Sequence, residues 1–117
     1  MATHQEIKDS LLFFLANYQK NERLKIMNQD WDRVINIRAN DIVSECSMVL
    51  EKGLLEVKEG ASQNPDLTVE ANSEILADLF YGDITPTEPY LNGSLKILGS
   101  EEDILRLDFI SLLIWGE

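Results

Sequence analysis

The C-terminal run from Ile104 to Trp115 constrains this chain more than any other stretch. Residues 101–115 read EEDILRLDFISLLIW, with only Arg106, Asp108 and Ser111 interrupting the apolar side chains after the acidic start. Ser100 can cap a helix here, and Glu101, Glu102 and Asp103 suit its positive end as solvated carboxylates. A helix that is apolar on nearly all sides is expected to bury more than one face. One face can lie on a sheet. The other needs a ligand, a second subunit or the N-terminal helix.

A sheet is available upstream. The alternation of Cys46, Met48 and Leu50 with Glu45, Ser47 and Glu51 predicts a strand over 42–51. It lies between a β-branched run around Val34, Ile35 and Ile37 and a strand over 54–58 with Leu55 and Val57 inward. Turns at Ala39-Asn40-Asp41 and Lys52-Gly53 make the three an antiparallel meander. Leu67, Val69 and Ala71 mark a fourth strand over 66–71, and Leu95 and Ile97 a fifth over 94–98. Between them, Asn72 or Ser73 caps a helix with apolar Ile75, Leu76, Leu79 and Phe80, closed by Gly82. Residues 83–89, with Pro86 and Pro89, are expected to form a loop.

At the other end, residues 3–27 predict one amphipathic helix. Ile7, Leu11, Phe14, Leu15 and Tyr18 share a face, and Thr3 and Glu6 form a capping box. The expected class is therefore α+β, with five strands, the first three an antiparallel meander, and helices before, between and after them. The length of 117 residues suits a single domain spanning 1–117.

Charge narrows the partners. The net charge of −11 is uneven: residues 1–59 hold 8 basic against 10 acidic groups, and residues 60–117 hold Lys96 and Arg106 against 11 acidic groups. An acidic surface repels phosphate backbones and anionic bilayers, so no nucleic acid is expected as a partner. No run approaches the roughly 18 apolar residues of a membrane span, so stable insertion is not expected either. Met1–Lys8 does not read as a signal peptide, and Trp115-Gly116-Glu117 reads as neither a peroxisomal nor an ER address, so no targeting is expected from either. A cytoplasmic setting follows by default, in keeping with a lone cysteine.

Catalytic patterns are missing. There is no Gly-rich phosphate loop, HExxH, CxxC or GxSxG. His4 and Cys46 are the only histidine and cysteine, and their meeting would bring a chain terminus onto a strand. No catalytic residue, metal or cofactor is expected. Trp31 and Trp115 suit core or interface anchoring, and Tyr81 and Tyr90 flank the proline loop, where either hydroxyl could meet a ligand's polar end.

The order of these segments resembles a known family. Asn64-Pro65-Asp66-Leu67-Thr68-Val69, the helix that follows, the proline loop and the LNGSLKILG run over 91–99 resemble the sterol carrier protein type 2 family. In that family a PD-hydrophobic-T strand precedes a short helix, a G-x-L-x-I-x-G strand and a terminal helix. The KGLLEVKEG run over 52–60 is similar to its third strand and the loop after it. The likeness covers residues 40–115. It implies an α+β fold with a five-stranded mixed, mostly antiparallel sheet covered on one face by helices, and a non-enzymatic domain that binds a fatty acid, acyl-CoA, sterol or similar lipid in an apolar tunnel between sheet and helices. By matching position, Ile75, Leu76, Leu79 and Phe80 would line that tunnel with Leu105, Phe109, Leu112 and Leu113. The alternative is an interaction module that uses the terminal helix to form a homodimer or to hold a partner protein. The acidic second half departs from the basic carriers of the family.

Overall fold

The computed structural model describes residues 1–115. Ten elements follow one another. Helices α1 (His4–Gln19) and α2 (Glu22–Met27) precede strands β1 (Arg33–Ala39), β2 (Glu45–Glu51), β3 (Leu54–Glu59) and β4 (Leu67–Ala71). Then come α3 (Ser73–Tyr81), α4 (Thr87–Leu91), β5 (Lys96–Leu98) and α5 (Glu101–Trp115).

The sheet has the order β3-β2-β1-β4-β5. All neighbours are antiparallel except β1 and β4, which run parallel. Register places Ile35 beside Met48 and Leu67, and Ile37 beside Cys46 and Val69. These residues are buried and face the helices. The opposite face carries exposed Arg38, Glu56, Lys58 and Lys96, as suits a sheet solvated on one side. The 60–66 loop covers part of it through two hydrogen bonds between Asn36 and Ser62. This is the expected mixed α+β sheet with helices on one face.

Several local expectations change. The single helix over 3–27 is two helices, because Asn21 turns extended and caps α2 by accepting from the Leu24 N–H. That break buries Leu24 and lets Tyr18 donate to the Gly53 carbonyl. The second strand starts at Glu45 rather than 42, since residues 40–43 bend away; Val43 is fully exposed. The proline segment is not wholly a loop. Pro86 stands at the N-cap position of α4, and Pro89 sits in its first turn, where a missing N–H leaves no helical bond unmade. The fifth strand shortens to 96–98 because Leu95 N–H bonds the Pro89 carbonyl instead of joining the sheet.

The largest change concerns α5. Leu107 and Ile110 enter the core, but Leu105, Phe109 and Leu112 are 64%, 47% and 60% exposed. The N-terminal helix meets α5 through Trp115, which packs on Phe13 and Phe14, and among the described residues nothing covers the Leu105, Phe109 and Leu112 stripe.

Candidate functional site: an apolar groove beside the C-terminal helix

Two polar knots fix the helices at the rims of the sheet. The first holds the start of α5. Asp103 is buried at the helix N-terminus and accepts from Trp31 Nε1 at 2.9 Å and Arg33 Nε at 3.0 Å. Its own N–H is capped by Ser100 Oγ. Two guanidiniums lie over the Trp31 ring, Arg33 at 5.4 Å and Arg106 at 5.3 Å from its centre. Burial pushes the Asp103 carboxyl up, yet the bonds from Arg33 and Trp31 outweigh it and hold it below the ordinary range. Asp103 is thus not the solvated helix opener that its neighbours suggest.

The second knot holds the start of α1. His4 Nε2 lies 2.9 Å from Glu59 Oε1, His4 Nδ1 lies 2.7 Å from Ser44 Oγ, and Lys8 pairs with the other Glu59 oxygen. The Lys8 bond, followed by the His4 bond, holds Glu59 below the usual carboxylate range. Cys46 is opposite Glu59 in the β2–β3 register, so His4, Cys46 and Glu59 present ligand atoms within 4.8 Å of one another. The meeting of His4 with Cys46 that the sequence did not lead one to expect does occur, because the capping box starts α1 directly over β3. A metal would have to displace Lys8 and deprotonate a thiol that burial, above all, pushes up. Glu59, paired with Lys8 and hydrogen-bonded to His4, tethers the start of α1 to β3.

A concave surface lies beside α5, on the β4–β5 side of the sheet. One groove of about 480 Å³ runs between α3 and the second half of α5, walled by Leu79, Ile84, Pro86, Leu112 and Trp115. A second, of about 530 Å³, runs between α4 and the first half of α5, walled by Tyr90, Leu91, Ile97, Ile104 and Leu105. Pro86, Thr87 and Asp108 belong to both, so the grooves adjoin. A recess of about 30 Å³ beneath them reaches Val69, Phe80 and Leu107. Each groove falls within the roughly 300–1,000 Å³ of small-molecule sites. Both are open, where a tunnel is expected.

Gly82 shapes the first groove. It ends α3 at φ 81°, and a Cβ there would stand 2.7 Å from the Trp115 ring. Trp115 also stacks on Phe13 at 5.8 Å, with its Nε1 enclosed and without a hydrogen-bond partner among the described residues.

The residues matched to the tunnel separate. Leu79, Leu105 and Leu112 line the grooves, and Leu79 and Phe80 line the recess. Leu76 is fully buried in the core, and Ile75 and Leu113 pack against it from the side. Phe109 lies on the exposed stripe and lines neither groove. Tyr90 borders the second groove, whereas Tyr81 lies against Phe13 at 5.3 Å. The polar members were not foreseen. Asp108 and Ser111 read only as interruptions of an apolar helix, and Thr85 and Thr87 as loop residues. Their spacing along the chain held no sign that Pro86 would meet Asp108.

The fold is shared with several solved structures. One is a UbiJ-SCP2 ubiquinone synthesis protein, with 14% identity over 92% of this chain and 94% of that one, at a TM-score of 0.72. Another is sterol carrier protein 2 from Aedes aegypti in complex with palmitate, 16% identical over 96% of this chain and 99% of that one, at 0.64. A third is the stereoselective inverting sec-alkylsulfatase from Pseudomonas sp., 16% identical over 68% of this chain, at 0.56. This chain spans only 13% of that enzyme's length. At such identities the likeness is one of fold. No curated protein sequence matches. The model of the SCP-2 sterol transfer family matches residues 13–110, and the chain belongs to that family.

Proposed function

We propose that the paired grooves beside α5 bind one hydrophobic small molecule, and that the chain carries it without chemical change. The carrying observation is the outward stripe of α5. Leu105 and Leu112 are more than half exposed, yet each forms one wall of a concave groove. Burying a chain against such walls yields about 0.8 kcal/mol per CH2. The palmitate held by the mosquito protein of the same fold supports a single-chain lipid as ligand. A purely binding role is supported by the lining, where, among the described residues, Asp108, Thr87 and Ser111 have no histidine, lysine or cysteine beside them to form a nucleophile–base pair. The whole chain acts as one domain in this reading. A cytoplasmic setting belongs to the same reading, and no described helix is long and apolar enough to cross a membrane.

Native mass spectrometry of the freshly purified chain, followed by solvent extraction, tests the proposal. A co-purifying lipid should disappear in the Leu105→Asp/Leu112→Asp double variant while the circular dichroism spectrum stays unchanged. Equal occupancy in a folded double variant would overturn the assignment.

Phe109 favours a second reading. It shares the exposed stripe but lines no groove, as a contact residue for another protein surface would. Sedimentation of lipid-free protein separates the two, since a dimer lost on Phe109→Asp, with no bound lipid, supports the interaction module.

A further inference from the structure

The charge of the groove restricts the head group of its ligand, an inference that rests on the ligand-binding reading above. Asp108 lines both grooves and the recess, and Glu101 lines the second groove. Among the described residues no lysine, arginine or histidine lines any of the three. Arg106, two residues from Asp108, is held on the other side of α5 by Asn28 Oδ1 at 2.9 Å and by the Trp31 ring. Asp108 enters no ion pair among the described residues. The other polar lining groups are hydroxyls, including Thr85, Thr87 and Ser111.

We infer that this groove selects hydrophobic molecules with an uncharged hydroxyl head and rejects free fatty-acid carboxylates and acyl-CoA. A hydroxyl can donate a charge-assisted hydrogen bond to Asp108 while accepting from Thr87 or Ser111. A fatty-acid carboxylate beside Asp108 would place two like charges side by side, with no cation among the described lining residues to offset their repulsion. The phosphates of acyl-CoA would meet the same field several times over, with 11 acidic against 2 basic groups in residues 60–117. The palmitate-bound relative shares the fold at 16% identity, which does not carry its head-group chemistry to this groove.

Calorimetric titration of the full delipidated chain with palmityl alcohol and with palmitate, near neutral pH and at low salt, tests the inference. The alcohol should bind about tenfold tighter or more. Asp108→Asn, at an exposed helix position, should close most of that gap by strengthening palmitate, and Glu101→Gln should close a smaller part. Palmitate binding as tightly as the alcohol, or a gap unchanged in Asp108→Asn, would overturn the inference and leave the lipid reading standing. Binding of neither compound would overturn the lipid reading, and this inference with it.

Discussion

Asp103 and Asp108 are five residues apart on one helix and have opposite fates. Asp103 is closed in by Trp31, Arg33 and Ser100 and fixes where α5 begins. Asp108 is exposed, lines the groove and has no ion-pair partner among the described residues. The difference teaches how one helix can be both scaffold and site. The turn carrying Asp103 is spent on anchoring, and the next turns hold an apolar wall with a single unmatched charge. Position relative to β1, rather than residue type, assigns the roles.

The hardest test of this contrast is Asp103→Ala. It would strand the Trp31 N–H and the Arg33 guanidinium, and should cost about 2–3 kcal/mol in urea unfolding. The partial exposure of Arg33 keeps the loss below that of a fully buried pair. A loss under about 0.5 kcal/mol, the level of an ordinary surface substitution, would break the comparison.

Acid sharpens it next. The folded-state carboxyl of Asp103 lies below its ordinary value of 3.8. The unfolded chain therefore binds more protons in that window. The stability contributed is present above the ordinary value and is lost as pH falls through the folded one. Glu59, held down by Lys8 and His4, has the same sign. So does Asp41, where two bonds from Ser73 outweigh the effect of burial. Stability should thus fall on acidification below about pH 4. Asp103→Asn should flatten that fall in urea melts, and an identical acid slope in the variant would count against the anchoring role.

Gly82→Ala should act at the far end of α5. Its left-handed backbone and the approach of Trp115 together predict a loss of about 1–2 kcal/mol and a shifted tryptophan emission. Unaltered emission would mean that Trp115 does not pack there.

The smallest stability effect belongs to the groove. Asp108→Asn and Leu112→Ser should each move the thermal midpoint by less than about 0.5 kcal/mol's worth. Leu112→Ser should still weaken lipid uptake. A clear destabilisation by either change would show that this face of α5 is structural, as Asp103 is.

Much of the architecture was legible from local pattern. Strand alternation at Cys46-Met48-Leu50 and Leu67-Val69-Ala71, the Thr3/Glu6 capping box and the Gly82 stop all act within a few residues of themselves. The misses involve partners distant in sequence. Arg33 and Glu59 occupy helix-facing positions at strand ends, where alternation calls for apolar side chains. Each makes sense only once a helix start, Asp103 or His4, is brought to it. The break at Asn21 and the prolines of α4 were visible as residues, but both fit more than one backbone path.

The sequence by itself determined which positions are apolar, where chain direction changes, and that a helix with too many apolar residues closes the chain. Those properties follow from periodicity and from the conformational limits of single residues. Only the tertiary structure decided which apolar stripe of α5 is core and which is wall. Leu107 and Leu105 have equal hydrophobicity; the core beside Val69 and Phe80 takes in one, and α4 merely approaches the other. Burial depends on what a side chain meets across space, and a one-dimensional pattern carries the demand for a partner without specifying which one arrives.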